Sequence, residues 1–264
     1  MTGEWQTWER RESGPPDADL TVLCLPGGMC TARSYAELMA EPALAEVHLV
    51  AVTLPGHGGT PPPQDLSVEH YAAMTAGLAD EIGCDAVVGF SMGANVAIEM
   101  VGSGAFHGPV VLLAPSFSRR DEAAFMRGID RLSRVLGPLP YSAMLKMIGM
   151  AVKGNPLPPE RLDELVADLR RNDPTFVRGA VHEYLQYLDR YGSVAGRLGD
   201  ADVPTWVVHG EIGDGGITDD ERATLQACPQ VTLMTIPGRC FFIPNEEPVL
   251  VAGLVRQALG QPVP

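Results

Sequence analysis

The five residues from Gly89 to Gly93 place a serine, Ser91, between two glycines in the pattern Gly-x-Ser-x-Gly. An apolar segment that favours a buried strand, Asp85–Phe90, precedes the serine, and a segment that favours a helix follows it. In this strand–turn–helix context the pattern is typical of a nucleophilic serine at the tip of a tight turn. The glycines have no Cβ, so the chain can pack closely around a serine in a strained backbone conformation. We therefore predict Ser91 as a candidate catalytic residue.

Three further motifs accompany the serine, and all four fall in the order of a known family. Their sequences are Leu25-Pro26-Gly27-Gly28-Met29, Leu54-Pro55-Gly56-His57-Gly58-Gly59 and Ile236-Pro237-Gly238-Arg239-Cys240-Phe241-Phe242, the last followed by Glu246 and Pro248. On these motifs the chain resembles the α/β-hydrolases over most of its length. The resemblance implies an α/β fold, with a mostly parallel central sheet flanked by helices and a helical cap inserted into it.

The resemblance places a phenylalanine where the family carries its catalytic histidine. The family's last motif has the form Pro-Gly-x-x-His-Phe. Phe241 falls on the histidine, and its neighbours are Cys240 and Phe242. In the Ser-His-Asp triad the histidine accepts the serine proton and later protonates the leaving group, which phenylalanine cannot do. Loss of a triad member costs on the order of 10⁴–10⁶ in rate.

Other residues would have to supply the base and the acid of a triad. Among the six histidines, His182, His209 and His57 are the ones that the sequence allows near the pocket. Each is more commonly a hydrogen-bonded structural residue, and His57 is expected to be one in its glycine-rich turn. For the acid, the loop after His209 offers Asp214 as first candidate and Glu211 as second. Asp214 lies one residue later than the family's usual spacing, and either carboxylate is also consistent with a cap of the turn.

The resemblance also implies an oxyanion hole, made of two backbone N–H groups directed at one point. One belongs to the first glycine-rich turn and is assigned to Gly28, with Met29 as the alternative if the loop is shifted. The other belongs to the residue after the serine, Met92. Such a pair of amides stabilises any developing oxyanion, whether a tetrahedral adduct or an enolate.

The elements that must position these residues alternate between apolar strands and helices. Continuous apolar strands separated by helices indicate a mostly parallel sheet covered on both faces. The alternation stops near Pro115 and resumes near Val203, so residues 1–115 and 203–264 are predicted as the core and residues 116–202 as the cap. The expected strands are Leu20–Leu25, Val47–Thr53, Asp85–Phe90, Pro109–Ala114, Thr205–His209 and Val231–Thr235, with a shorter antiparallel edge strand at Trp5–Arg10.

The cap segment is expected to be helical. Asp173-Pro174 gives an N-cap and a proline at the first position of a helix to about Arg190. Pro158-Pro159-Glu160 begins another helix that runs through Arg171. The methionines of this segment are consistent with ordinary packing of the cap or with a pocket for an irregular apolar ligand. The predicted substrate-binding residues are Met29, Phe90, Phe241, Phe242, Met144 and Met147.

The composition of the chain restricts the classes of partner that it is expected to bind. The chain has 264 residues, 45% of them hydrophobic, and a net charge of −14. That charge disfavours nucleic acid and anionic membranes as partners. The polar N-terminus is unlike a signal peptide, and no apolar run approaches the ~20 residues that a membrane span needs. With five cysteines and no Cys-x-x-Cys pair, we expect reduced thiols in a cytoplasmic protein. We expect a small-molecule or peptide metabolite as ligand, and neither metal nor cofactor.

The missing histidine leaves three hypotheses of function open. Relatives of this fold without the histidine include binding proteins and catalysts of non-hydrolytic steps in natural-product pathways. Among the catalysts, the chain most resembles the peptide epimerases of bottromycin biosynthesis. We therefore favour an epimerase or isomerase that acts on a modified peptide or similar intermediate with an activated carbonyl. The alternatives are a serine esterase or thioesterase with a displaced base, and a ligand-binding protein without turnover.

Overall fold

The computed structural model describes residues 4–152, 154–212 and 217–262. Seven strands form one sheet in these ranges. They are β1 (Arg10–Ser13), β2 (Thr21–Leu25), β3 (His48–Val52), β4 (Ala86–Phe90), β5 (Val110–Leu113), β6 (Thr205–Ile212) and β7 (Val231–Arg239). Their order is β1-β3-β2-β4-β5-β6-β7, and only β1 runs antiparallel to its neighbour.

The helices of the described residues connect these strands and cover both faces of the sheet. They are α1 (Ala36–Met39), α2 (Val68–Glu81), α3 (Met92–Gly102), α4 (Ala124–Leu136), α5 (Leu139–Ala151), α6 (Pro159–Arg170), α7 (Pro174–Tyr191), α8 (Ala195–Ala201), α9 (Asp219–Gln226), α10 (Ile243–Glu246) and α11 (Pro248–Ala258). Short 3₁₀ helices occupy Glu4–Thr7, Ala32–Tyr35, Pro42–Leu44 and His57–Gly59.

The core lies on the two faces of the sheet. Every residue of β2, β4 and β5 is buried, which accounts for their continuous apolar sequences. Alternate residues point to opposite faces, so that Leu23 and Val87 belong to one apolar cluster while Val22 and Val88 belong to the other. The first cluster lies under α2, α3 and α8, and the second under α1 and α11.

The predicted strands in the middle of the sheet are confirmed to within one residue at each end. The predicted antiparallel edge strand is present, but its predicted bounds, Trp5–Arg10, are wrong, because their first part is a 3₁₀ helix and β1 begins at Arg10. The Trp5 side chain explains the difference: its ring packs on Gly77 of α2, and its indole N–H donates to Glu81. Near the other edge, β6 and β7 pair with each other beyond their predicted ends, with a register irregularity between Gly210 and Ile212.

Helices α4 to α7 lie between β5 and β6 and form the inserted segment. The predicted starts of α6 and α7 are confirmed, and the Asp173 side chain accepts the N–H groups of Thr175 and Phe176. These helices have a small apolar cluster of their own, which includes Tyr141 and Met144. α8 packs instead against α3 of the core layer. Of the helices described, none is both long and apolar enough to cross a membrane.

Candidate active site

Ser91 lies at the tip of the turn between β4 and α3. Its backbone has φ 50° and ψ −118°, a region that residues other than glycine rarely adopt. The Ser91 N–H donates to the carbonyl of Leu113 at 2.8 Å, which holds the turn against β5. The strained strand-to-helix turn predicted from the motif is present.

The two glycines of the motif are required by contacts with backbone. A Cβ added to Gly89 would lie 2.5 Å from the carbonyl oxygen of Gly93. A Cβ added to Gly93 would lie 2.3 Å from the carbonyl oxygen of Leu25. Both distances are far shorter than van der Waals contact. A side chain at Gly89 would displace the first turn of α3, and one at Gly93 would force the serine turn away from β2.

The glycine-rich turn after β2 packs directly on the serine turn. A Cβ on Gly27 would lie 3.3 Å from the Ser91 Cβ, and one on Gly28 would lie 3.7 Å from the Met92 side chain. Met92 is the first residue of α3, where a backbone N–H has no partner within the helix. The two predicted oxyanion donors, Gly28 and Met92, are therefore adjacent.

Met29 completes this turn and is held at both of its backbone polar groups. Its φ is 68°, which is unfavourable for a residue with a Cβ. Its N–H donates to Nδ1 of His57, and its carbonyl accepts from Nδ2 of Asn172, each at 2.8 Å. The N–H of the alternative donor, Met29, is thus already engaged, and Gly28 stays the predicted donor of this turn.

His57 is a buried structural residue. Its ring contacts Phe176 and Tyr71, and burial lowers its pKa to about 4. Because Nδ1 accepts the Met29 N–H, the ring proton is on Nε2, which has no hydrogen-bond partner among the described residues. The neutral His57 ring already accepts a backbone N–H, and we therefore interpret it as a support for the turn.

The other two histidines considered as a displaced base are also engaged elsewhere. His209 donates from Nδ1 to the Gly210 carbonyl and accepts the Thr235 hydroxyl at Nε2, and burial lowers its pKa. It is two strands from Ser91, about 10 Å across the sheet. His182 lies on α7, with Nδ1 3.3 Å from Asp130. All six histidines are in the described ranges, and none is hydrogen-bonded to Ser91.

Phe241 lies in the loop between β7 and α10. Its ring is partly buried against the apolar cluster that contains Phe90. Glu246 fixes the loop: its Oε1 accepts the N–H groups of Phe241 at 2.9 Å and Phe242 at 2.6 Å, and the Nδ2 of Asn155 at 2.8 Å. The apolar ring of Phe241 therefore follows β7, on a loop whose backbone is fixed by the Glu246 carboxylate.

These motifs and this fold agree with the comparison to known families. The model of the Alpha/beta hydrolase family matches residues 22–251. The chain belongs to this family. No curated protein matches the sequence.

Solved α/β-hydrolase structures share the fold at low sequence identity. A thermophilic esterase from Thermogutta terrifontis has a TM-score of 0.73 at 19% identity, covering 96% of this chain and 93% of that one. For 1H-3-hydroxy-4-oxoquinoline 2,4-dioxygenase the TM-score is 0.76 at 19% identity, with 96% of both chains covered. The thioesterase domain from the curacin biosynthetic pathway has a TM-score of 0.67 at 17% identity, with 93% of both covered. These esterase, dioxygenase and thioesterase structures show that the fold is used for hydrolytic and non-hydrolytic chemistry.

The acid of the α/β-hydrolase triad is the least defined part of the site. The first candidate, Asp214, lies outside the described residues. The second, Glu211, is exposed and accepts the backbone N–H of Gly238 at 2.9 Å. Glu211 therefore bonds to the neighbouring strand β7, and its roles as the acid or as a cap of its own turn stay predictions.

The predicted substrate-binding residues differ in exposure. Phe90, Phe242 and Met144 are buried, whereas Met147 is 56% exposed on α5. Met29 contacts both the sheet cluster and the cap cluster that contains Met144. Two cavities, of about 620 and 520 Å³, lie elsewhere and are not lined by Ser91 or Phe241. The described residues contain no group of three or more His, Cys, Asp or Glu side chains arranged for a metal ion.

Sequence reasoning missed the side chains that hold the site in place. Asn172, between α6 and α7, bonds to Met29 and also accepts the Gly58 N–H at 3.0 Å. Asn95, one turn into α3, donates to the Ser116 carbonyl and accepts the Tyr184 hydroxyl. No local pattern marks these residues, since each acts on a distant part of the chain. Glu246 could be recognised from the sequence, because it matches the glutamate of the Glu-x-Pro that follows the family's last motif.

Proposed function

We propose that this chain is a non-hydrolytic enzyme of the α/β-hydrolase fold, an epimerase or isomerase that acts at the carbon next to an activated carbonyl. One contrast carries the proposal. The strained turn at Ser91 packs against the glycine turn that contains Gly28, which supports an oxyanion hole made by Gly28 and Met92, yet no histidine is bonded to Ser91. The substrate that fits best is a modified peptide or a similar natural-product intermediate.

The proposed reaction needs only the backbone amides that the site retains. Attack by serine requires a base that takes its proton. An enolate requires only donors at the carbonyl oxygen, which two backbone amides supply. The Cα–H electron pair moves to the carbonyl oxygen as the enolate, and the proton passes to a carboxylate of the substrate itself. A water molecule on the opposite face returns a proton to the carbon and inverts it, and the protonated carboxylate gives its own proton to the hydroxide that remains. A base held beside the Cα benefits from high effective concentration.

The apolar residues near the serine turn support this assignment. Phe90 and Phe242 are buried, and Phe241 is partly buried on its ordered loop. Low polarity strengthens the hydrogen bonds from Gly28 and Met92 to an enolate oxygen. Because no histidine is bonded to Ser91, none is placed there to activate a water molecule. This would also protect a reactive intermediate from hydrolysis.

A serine esterase or thioesterase is the second candidate. The retained strain at Ser91 favours it, because φ 50° serves to present a nucleophile. An esterase and a thioesterase domain are also among the structures with this fold. In this case a histidine would have to leave its present partners and reach the serine.

Proton exchange in D₂O separates these functions. A peptide with an epimerisable Cα beside a thiazoline is incubated with the protein, and mass spectrometry follows deuterium incorporation. We expect one deuterium at one Cα, no hydrolysis product, and little change in Ser91→Ala. The matched control is Ser103→Ala, at the far end of the same helix.

Hydrolysis of p-nitrophenyl acetate tests the esterase alternative. Rapid cleavage that Ser91→Ala abolishes would establish the esterase. Binding of the peptide without deuterium at any carbon, together with no cleavage of p-nitrophenyl acetate, would establish a binding protein and exclude both enzymes.

A further inference from the structure

One cavity bordered by described residues is separate from the candidate active site. It has a volume of about 620 Å³ and lies among the start of the cap, the end of α7 and the first turn of α9. Volumes of this size hold small organic ligands. Since neither Ser91 nor the oxyanion turn lines it, its role does not depend on the proposed function.

One wall of the cavity is formed by arginines. Arg119, Arg120, Arg127 and Arg131 line it. Arg127 donates to three backbone carbonyls, and Arg119 pairs with Asp130 and Asp189. Arg120 and Arg131 are exposed and form no ion pair within the described ranges.

This concentration of positive charge is unfavourable for the fold by itself. Arg127 and Arg131 are four residues apart on α4, where like charges destabilise a helix by about 0.2–0.5 kcal/mol. The whole chain has only 19 lysines and arginines against a net charge of −14. Contacts within the fold account for Arg119 and Arg127, so Arg120 and Arg131 are the arginines that can meet a ligand with negative charge.

Another part of the cavity wall carries carboxylates. Asp220 and Glu221 belong to the first turn of α9. Glu221 accepts the hydroxyl and the N–H of Thr218, while Asp220 is exposed and has no ion-pair partner among the described side chains. A simple polyanion would be repelled by this wall, and a simple cation by the arginines.

We propose that this cavity binds a zwitterionic amino acid or short peptide through both of its charged ends. The ligand carboxylate meets Arg120 and Arg131, and its ammonium meets Asp220. Arginine forms bidentate hydrogen bonds with carboxylates, which gives the anionic end a defined orientation. The hydroxyls of Ser118, Ser193 and Thr218 line the same space and can hydrogen-bond the peptide backbone.

Calorimetric titration with trialanine and its blocked forms tests the proposal on the full chain. We expect saturable binding of trialanine, and roughly tenfold weaker binding of the N-acetyl form and of the C-terminal amide. Arg120→Gln, Arg131→Gln and Asp220→Asn should each weaken trialanine by a similar factor. Arg134→Gln is the matched control, since Arg134 lies on the same helix, pairs with Asp130 and does not line the cavity.

Several results would overturn the assignment. These are no saturable binding of trialanine up to millimolar concentration, equal binding of the blocked forms, or equal loss in Arg134→Gln. Binding of inorganic phosphate in place of trialanine would replace the zwitterion site by an anion site. All of the substituted residues are exposed, and thermal unfolding of each variant verifies that its fold is kept.

Discussion

At the scale of single residues, the serine turn depends on Gly93. In Gly93→Ala the new Cβ would lie 2.3 Å from the carbonyl oxygen of Leu25. We expect a loss of unfolding free energy of about 3 kcal/mol or more and loss of the activity, because neither backbone can yield easily. Gly128→Ala is the control. Gly128 lies within α4 and a Cβ there meets nothing within 4 Å, so alanine should stabilise by about 0.5–1 kcal/mol. Urea unfolding of both variants makes the comparison, and equal effects would contradict this account of the turn.

Phe241 decides whether the motif alignment is right. If Phe241 occupies the histidine position, Phe241→His restores a base opposite Ser91. We expect hydrolysis of p-nitrophenyl acetate to rise on the order of tenfold or more, and to disappear again when Ser91→Ala is added. Phe242→His is the neighbouring control and should show no gain. A gain in Phe242→His alone would shift the alignment by one residue.

The sequence was sufficient to predict the strained strand-to-helix turn at Ser91, because its glycines are local requirements of the backbone. The oxyanion role of Gly28 and Met92 stays a prediction. It was not sufficient to predict what holds Met29. His57 is 28 residues from Met29, and Asn172 is 143 residues away. Contacts at such separation depend on the packing of the whole domain and leave no periodic pattern. The acid stays a prediction, since Asp214 is outside the described residues.

At the scale of elements, the inserted helices are tied to the oxyanion turn. Asn172 joins the α6–α7 connection to Met29 and Gly58, and Asp168 accepts the Thr31 hydroxyl at 2.7 Å. We expect Asn172→Ala to lower the unfolding free energy by about 1–3 kcal/mol, because buried groups lose their partners. It should also increase amide hydrogen exchange at Met29 and Gly58, which mass spectrometry measures.

Asn172→Asp is the informative companion. The carboxylate still accepts the Gly58 N–H but cannot donate to the Met29 carbonyl. Faster exchange at Met29 with normal protection at Gly58 would assign the coupling to that single bond. Unchanged exchange in both variants would show that α6 and α7 do not support the turn.

Element boundaries show the same division between local and distant causes. The proline and aspartate signals of α6 and α7 act within one turn of helix, so their starts were predicted correctly. The extension of β7 to Arg239 depends on pairing with β6, a strand that begins 26 residues earlier in the sequence. The Trp5 segment failed for a similar reason. Its conformation follows from a contact with α2 that the local sequence does not show.

For the whole molecule, the dependence of stability on pH combines groups of opposite sign. Burial raises the pKa of Asp121 to about 7, beside the carboxyl of Glu221. Between about pH 4 and 7 the folded protein keeps a proton that the unfolded chain has released, so this carboxyl makes stability fall as pH rises. His57 acts in reverse: its folded pKa of about 4 is below the unfolded value, so stability rises with pH between about 4 and 6.5. The wild-type curve alone therefore cannot isolate either group.

Asp121→Asn isolates the carboxyl contribution. Asp121 is 3% exposed and accepts the N–H groups of Phe117 and Ser118 through one oxygen, which an asparagine oxygen can also do. The variant has no proton to lose, so the wild-type minus variant difference in unfolding free energy should fall by about 2–4 kcal/mol from pH 4 to pH 8. Urea unfolding at several pH values measures this difference. A flat difference would mean that Asp121 ionises normally, and a rise with pH would mean that its pKa is lowered in the fold.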